Sequence, residues 1–256
     1  MQKVSFLETI DPATLSQEGL ADFFRKLYGI HCQIFSGVSR ALFEQKMFPL
    51  NAQWTKIRIF KNSKGEDVGY SALHAYEKVI NSENIVIFRV ETGILRDYRR
   101  QGNASSFFLT EAIKYKAVHP FKKSYLFCTL VHPSSYHLIS TFFFRFYPNF
   151  RYATPSNVLD SMDQMADAFH EVRSSNGDPS LREVGWVTRQ TVKEKSEWAG
   201  SNDPDTCFFL EKNPDYHKGI GLMTLVPLDM RNIFMTTLLF LCYLGKNLIY
   251  RRVENK

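Results

Sequence analysis

The chain has 256 residues, of which 44% are hydrophobic and 23% are charged, a composition typical of a globular protein with a sizeable core. The formal net charge of +6 suits an anionic ligand, while the lack of any DNA- or RNA-binding motif argues against nucleic acid. The four cysteines form no CxxC pair and lack histidines at metal-ligand spacing, so we expect neither a metal site nor a disulfide framework. Free thiols and an N-terminus without a signal-peptide core favour a cytoplasmic protein.

The first 80 residues predict a strand, two helices and a hairpin. Leu20, Phe24 and Leu27 recur at helical spacing, whereas Ile57 and Ile59 belong to an alternating, strand-like segment. A turn cluster at 62–67 separates the two arms of the hairpin. The predicted elements are a strand at 3–7, helices at 16–27 and 36–47, and strands at 54–60 and 68–79.

The middle of the chain predicts a strand–helix–strand unit. An apolar strand at 85–94 is followed by a helix at 105–118 and a strand at 124–131, and a short helix at 136–144 comes next. Parallel strands need such a crossover, whereas a hairpin pairs its strands antiparallel. We therefore predict an α/β fold whose sheet mixes antiparallel pairs with parallel character in its middle.

The last hundred residues predict a looser arrangement. A helix is predicted at 157–172, and short strands at 206–210 and 220–226 form a hairpin that closes the sheet. The tail at 230–252 is almost wholly apolar at first and has basic flanks. Three interpretations of the tail remain open: a helix packed on the sheet or in an oligomer interface, a helix lying on a membrane surface, or a membrane span.

A glycine-containing loop lies between the apolar strand and the central helix. It reads Asp97-Tyr98-Arg99-Arg100-Gln101-Gly102-Asn103-Ala104. The backbone N–H groups of such a loop, together with the unpaired N–H donors of the next helix, form a cradle for a phosphate group. We expect an anionic, phosphate-containing ligand here.

The six residues from Arg99 to Ala104 resemble the signature Arg/Gln-x-x-Gly-x-Gly/Ala of the GCN5-related N-acetyltransferases (GNATs). The order of predicted elements over 3–150 is also similar to that family. The resemblance implies a GNAT-like mixed sheet, splayed at its centre and flanked by helices, with a C-terminal extension. It implies an acyltransferase that moves an acetyl or longer acyl group from coenzyme A to an amine by direct transfer.

The resemblance also implies which residues hold the donor, acetyl-CoA or another acyl-CoA. Backbone N–H groups of the loop bind the pyrophosphate, and the end of the preceding strand pairs with the pantetheine arm. The implied pyrophosphate residues are Arg99, Arg100, Gln101, Gly102, Asn103, Ala104 and Ser105. The implied pantetheine residues are Gly93, Ile94 and Leu95.

The catalytic residues follow less directly from the resemblance. Glu91, on the signature strand, matches a common position of the general base, although it is equally placed to pair with a neighbouring arginine. The tyrosine that many members use as a proton donor falls on Phe143 or Phe144, neither of which donates a proton. Tyr136 and Tyr147 are the expected substitutes, and His132 is a further candidate. His137 falls on or near the position of the family's usual asparagine, and we predict Glu91, Tyr136 and His137 as the catalytic residues.

These features predict three segments: an acyl-CoA-binding core at 1–150, an insertion with the closing hairpin at 151–229, and an apolar helix at 230–256. The acceptor is a small molecule or a protein amine. An aromatic-rich interior and the apolar tail also suggest a longer acyl donor on acyl carrier protein, and a membrane surface as a partner of 230–252. The alternative is a catalytically inactive acyl-CoA-binding or membrane-associated interaction protein.

Overall fold

The computed structural model describes residues 3–99, 103–175 and 177–254, which fold into a mixed sheet with helices on both faces. The strands are β1 (Phe6–Ile10), β2 (Phe35–Ser36), β3 (Trp54–Lys61), β4 (Asp67–Ile80), β5 (Glu83–Ile94), β6 (Ser124–Leu130), β7 (Val172–Arg173), β8 (Leu181–Glu183), β9 (Val187–Thr188) and β10 (Ile220–Pro227). The α-helices are α1 (Gln17–Ile34), α2 (Arg40–Met47), α3 (Asn103–Val118), α4 (Pro133–Phe142), α5 (Ser156–Ala168), α6 (Val192–Ala199), α7 (Pro204–Lys212) and α8 (Met230–Glu254). The main sheet has the order β1-β3-β4-β5-β6-β10-β8-β7, and β2 pairs with β9 separately.

The centre of the sheet is splayed. β5 and β6 run parallel and pair only from Val86–Ser124 to Phe88–Leu126, whereas β5 continues to Ile94. Beyond Phe88, β5 stays paired with β4, and β6 stays paired with β10. A cleft therefore opens between the carboxyl-terminal halves of β5 and β6, as the resemblance implies.

The alternation of side chains along the strands divides the core between the two faces of the sheet. On one face, Phe88 of β5 packs with Phe107 of α3 and Tyr136 of α4. On the other face, Tyr70 and Ala72 of β4 pack against α1 and α2. Burial of one such aromatic side chain contributes about 1.5–3 kcal/mol, so both helix layers are firmly held. Residues that face α1 and α2 share the second face with Glu91, because Ala72 lies opposite Glu91 in the β4–β5 ladder.

Side-chain caps explain where the first two helices begin. The hydroxyl of Ser16 accepts a hydrogen bond from the N–H of Gly19 at 3.1 Å, and that of Ser39 accepts one from Leu42 at 3.2 Å. Each bond satisfies a donor that the first turn leaves unpaired. The first predicted helix is confirmed and extends further, to Ile34, while the second begins after Ser39 rather than at position 36.

The predicted closing hairpin is wrong in one arm. Residues 206–210 lie in α7, which starts at Pro204, a residue favoured at the first helical position because it has no N–H to leave unpaired. The other arm is confirmed as β10, which pairs with β6 on one side and β8 on the other. The helix predicted at 157–172 ends at Ala168, and its last residue instead begins β7. The division into segments at 150 and 229 stays a prediction.

The C-terminal helix α8 packs one side against the body of the protein. Ile233 joins the core, the hydroxyl of Thr236 accepts a hydrogen bond from the N–H of Phe144, and the amide of Asn232 bonds both backbone groups of Arg145. The opposite side exposes a stripe at helical spacing, Met230, Phe234, Leu238 and Leu241. Within the described ranges, no helix combines the length and the apolar character needed to cross a membrane.

Candidate active site

The predicted phosphate loop is only partly described. Arg100, Gln101 and Gly102 lie outside the described residues, so their predicted role is untested. α3 begins directly after them, with Ala104 and Ser105 buried in its first turn. The Ser105 hydroxyl has no hydrogen-bond partner among the described atoms, and a buried hydroxyl left in this way costs free energy. An anion at this helix start would supply the missing partner, so the residues present fit a phosphate group.

Arg99 links the loop to two other segments. Its Nε donates to the carbonyl of Ile94 at 3.1 Å, and its Nη1 donates to Oε1 of Glu194 at 2.8 Å. Glu194 also lies 3.6 Å from Arg96 Nε and is largely buried. The first turn of α6 thus places a carboxylate on the arginine that begins the signature, a contact that the sequence does not reveal.

The backbone of β5 presents hydrogen-bonding groups to the cleft. The N–H of Val86 donates to the carbonyl of Lys123, toward β6, whereas the N–H of Leu95 donates to the carbonyl of Val68, toward β4. Because these directions alternate along a strand, the N–H groups of Val90 and Thr92 point to the cleft. The N–H of Leu95 points toward β4 instead, and its implied role in pairing with pantetheine stays a prediction.

The same alternation gives the directions of the backbone groups of Gly93 and Ile94, whose implied roles also stay predictions. Gly93 lies opposite Tyr70, and its backbone groups point toward β4, as those of Leu95 do. Ile94 faces the other way, where its carbonyl accepts the bond from Arg99. Gly93 also allows close packing, since a Cβ there would lie 3.0–3.1 Å from side-chain atoms of Phe35, Ile34 and Tyr70.

Glu91 stands on the α1/α2 face of the sheet with histidine beside it. Oε2 of Glu91 lies 3.3 Å from Nε2 of His74, although the geometry is not that of a hydrogen bond and neither atom has another partner in the described part of the chain. Nδ1 of His74 lies 2.8 Å from the hydroxyl of Thr55. Burial opposes ionisation of Glu91, but the contact with His74 and the charges of Arg89 and Lys46 outweigh it and lower the pKa of Glu91.

A second carboxylate spans the cleft on the same face. Oε1 of Glu171 accepts from Nη2 of Arg89 on β5 at 2.6 Å, and Oε2 accepts from the hydroxyl of Thr129 on β6 at 2.7 Å. These two strands are no longer paired at this height. Glu171 therefore ties the walls of the cleft together through side chains, and Arg89 pairs with it rather than with Glu91.

Tyr136 and His137, the two residues predicted to be catalytic together with Glu91, lie away from it. Tyr136 is fully buried, its hydroxyl donates to the carbonyl of Pro148 at 3.0 Å, and burial raises its pKa. It packs on the opposite face of the sheet from Glu91, so it is a core residue in this structure rather than an available proton donor. His137 lies on the surface of α4 with its Nδ1 2.8 Å from Asp205.

His132 is the capping residue of α4. Its Nδ1 accepts from the N–H of Ser134, and Nε2 lies 3.3 Å from Oε1 of Gln190, which together indicate a neutral ring protonated on Nε2. Burial lowers the pKa of His132 to about 4. Tyr147 instead joins the core, with backbone bonds to Leu225.

The strand order, the β5–β6 pair that separates and the helix that follows the loop define a GNAT-like fold. The sequence matches no protein-family model and no curated protein. Similar solved structures include Arabidopsis thaliana NAA60 with a bisubstrate analogue (15% identity, 55% of this chain and 87% of that chain, TM-score 0.36). Two others are the GNAT-family acetyltransferase of Streptococcus pneumoniae (16%, 53% and 82%, 0.32) and Escherichia coli YhbS with CoA (12%, 52% and 65%, 0.34). At these TM-scores the fold assignment rests on the topology of the chain itself.

Proposed function

We propose that the protein is an N-acyltransferase that moves an acetyl or longer acyl group from coenzyme A to an amine in a ternary complex. The observation that carries the proposal is the cleft between β5 and β6, because Glu91 stands beside it with an oxygen lacking a hydrogen-bond partner among the described residues. The edge of β5 adds N–H donors that β6 does not pair. A base beside fixed N–H donors is what amide formation from a thioester requires.

The donor is proposed to lie along the cleft with its pyrophosphate at the start of α3. The unsatisfied hydroxyl of Ser105 and the nearby charge of Arg99 support this orientation. Backbone groups of Arg100, Gln101 and Gly102 complete the proposed cradle. Acetyl-CoA is the simplest donor, and a longer acyl group on coenzyme A or acyl carrier protein is the variant.

Each step of the transfer has a group on this chain to support it. Glu91, an ionised carboxylate stabilised by His74, Arg89 and Lys46, accepts the proton of the incoming ammonium group, and His74 positions the carboxylate. The neutral amine forms a C–N bond to the thioester carbonyl, whose developing negative charge accepts hydrogen bonds from the N–H groups of Val90 or Thr92. The C–S bond then breaks, the nitrogen releases its extra proton to solvent, and the departing thiolate takes up a proton from solvent. Because an ordinary thiol has a pKa of roughly 8.5, departure as a thiolate needs no tyrosine.

Direct transfer is favoured over a cysteine-linked intermediate. Cys128, on β6, is buried, and burial raises the pKa of its thiol to about 12. At neutral pH this thiol stays protonated and is a poor nucleophile. The amine therefore attacks the thioester itself in the proposed mechanism.

The second candidate is a catalytically inactive acyl-CoA-binding protein. Two hydrogen bonds favour it. The Tyr136 hydroxyl, a candidate proton donor, already donates to the carbonyl of Pro148, and the Arg99 guanidinium already donates to the carboxylate of Glu194. Such a protein binds acetyl-CoA but releases no thiol with any amine.

Acetyl-CoA binding and thiol release distinguish the two candidates. Calorimetry measures binding, and a colorimetric thiol assay with a panel of primary amines measures turnover. Glu91→Gln should lower kcat/KM about 10²- to 10⁴-fold, as expected for loss of a general base, with donor binding retained. Glu83→Gln, at the exposed start of the same strand, is the matched control. Equal turnover in the two variants would exclude Glu91 as the base, and binding without thiol release from the unmodified protein would favour the second candidate.

The apolar stripe on α8, formed by Met230, Phe234, Leu238 and Leu241, is proposed to rest on an anionic membrane surface. Phe121 is 97% exposed and flanks the lysine pair Lys122 and Lys123, which line a cavity of about 350 Å³ together with Met230. Exposed apolar side chains beside basic ones suit the interface of an anionic bilayer. Cys32, Cys128, Cys207 and Cys242 are free thiols, which supports the proposed cytoplasmic location.

A further inference from the structure

Lys46, on the α1/α2 face of the sheet, has no carboxylate partner among the residues that the structure describes. It projects from the last turn of α2, is partly buried, and its Nζ lies 5.8 Å from the centre of the Trp186 ring. Within the described part of the chain, the interaction of Lys46 at short range is this contact with the Trp186 ring, and no carboxylate lies within ion-pair distance of its Nζ. Burial lowers the pKa of Lys46, although the charges of Glu91 and Glu171 oppose that effect.

Two neighbouring charged groups are also incompletely satisfied. Oε2 of Glu91 and Nη1 of Arg89 are both buried, and neither has a hydrogen-bond partner among the described residues. They stand two residues apart on one face of β5, and the charges of both act on Lys46. Burial of charged atoms without partners costs free energy unless a ligand satisfies them.

The charged groups that lack a partner at this site have opposite signs. Arg89 is neutralised by Glu171, so the remaining charges are the carboxylate of Glu91 and the ammonium of Lys46, with Nη1 of Arg89 as a further donor. A simple amine, which has an ammonium group but no carboxylate, would satisfy Glu91 alone. A ligand with an ammonium group and a nearby carboxylate would satisfy both sides.

We infer that the acyl acceptor is a zwitterionic amine of the α-amino acid type, whose ammonium group meets Glu91 and whose carboxylate meets Lys46. This inference rests on the proposed function and deepens it by naming the acceptor class. Trp186, packed on Phe35 at a ring separation of 5.3 Å, adds an aromatic wall beside Lys46 that suits an apolar side chain. Lys46 is a specificity-determining residue in this arrangement, and Glu91 is the base.

Three acceptors that share one side chain test the inference: phenylalanine, phenylalaninamide and 2-phenylethylamine. Thiol release is measured with the full chain at saturating acetyl-CoA. We expect kcat/KM to be about tenfold to a hundredfold higher for phenylalanine, the worth of a hydrogen bond between charged groups. Lys46→Met should collapse this ratio toward one, mainly through KM. Lys26→Met, on the exposed surface of α1, is the matched control and should keep the ratio.

The outcomes separate this inference from the proposed function. Similar kcat/KM values for all three acceptors would overturn the inference and leave the acyltransferase intact. Absence of thiol release with every acceptor would refute the proposed function and the inference with it. Intact-mass and peptide analysis after incubation adds a second readout, because acetylation of Lys46 itself would make this lysine an acceptor and overturn its role in binding a carboxylate. Thermal stabilisation by phenylalanine that Lys46→Met abolishes would support the inference independently of turnover.

Discussion

Two buried histidines should make the fold sensitive to mild acid, before its carboxylates become protonated. His31 is 1% exposed, with Nδ1 2.8 Å from the Tyr70 hydroxyl, and His132 is 2% exposed at the start of α4. Burial lowers the pKa of each imidazole to about 4. Both rings are therefore neutral in the folded protein at pH values where they gain a proton in the unfolded chain.

The size of the effect follows from proton linkage. The unfolded chain holds each imidazole near a pKa of about 6.5, so it takes up protons as the pH falls through that value while the folded state does not. Stability that is fully present above pH 6.5 is thus lost progressively down to pH 4. Between pH 7.5 and 5.5 the loss is about 1.3 kcal/mol per histidine, against a total of about 5–15 kcal/mol for a typical protein.

Denaturant unfolding of the full chain at pH 7.5 and 5.5 measures this loss. His31→Gln keeps a donor for Tyr70 and His132→Asn keeps a helix-capping side chain, and each should remove about 1.3 kcal/mol of the pH dependence. His217→Asn, at an exposed position, is the matched control. If His31→Gln and His132→Asn keep the full pH dependence of the unmodified protein, burial of these imidazoles is not its cause.

Three further predictions concern the donor site, the core and the surface. Glu194→Gln removes the negative charge paired with Arg99 and should tighten acetyl-CoA binding about two- to tenfold by calorimetry, whereas weaker binding would contradict a competing role. Tyr136→Phe should lower the free energy of unfolding by about 1 kcal/mol and should lower kcat less than about twofold. A loss of more than about a hundredfold in kcat would instead identify Tyr136 as the proton donor. Phe234→Ser combined with Leu238→Ser should reduce co-sedimentation with vesicles rich in phosphatidylserine, and unchanged sedimentation would exclude the stripe as the contact.

Local patterns were enough to predict most of the fold. The apolar spacing of α1 and the alternation of the β3–β4 hairpin are properties of neighbouring residues, and each appears in the structure. The splayed sheet followed from the resemblance of the loop rather than from any local pattern. The segment from Pro204 to Lys212 is harder to predict, because a short apolar run is compatible with either a strand or a helix. The sequence signal of a helix start there is Asp203-Pro204.

The site was predicted less completely because its contacts join distant positions. Glu91 is predicted from its place on the signature strand, whereas Glu171 and Glu194 meet their arginines across 82 and 95 residues. No periodic pattern encodes such pairs. The cleft-facing N–H groups of Val90 and Thr92 were accessible in principle, since strand alternation determines them once one hydrogen bond of β5 is known.

Tyr136 shows why a nearby residue of the right type does not by itself take over a predicted role. A tyrosine one or two helical turns from the expected position offered the right chemistry, yet the periodicity of α4 turns it into the core. Its hydroxyl is then bonded to a backbone carbonyl, because a buried donor without a partner is costly. The direction of a helical side chain therefore decided its role more than its identity.

The side-chain tie formed by Glu171 has a consequence for how the cleft responds to ligands. Its two bonds, to Arg89 and Thr129, link two strands whose backbones no longer pair. These two bonds therefore set the width of the cleft, and binding of the proposed donor would not have to separate the strands or order their side chains. Glu171 follows α5 closely in the chain, so a shift of that helix would change the spacing of the strands and the donor affinity together.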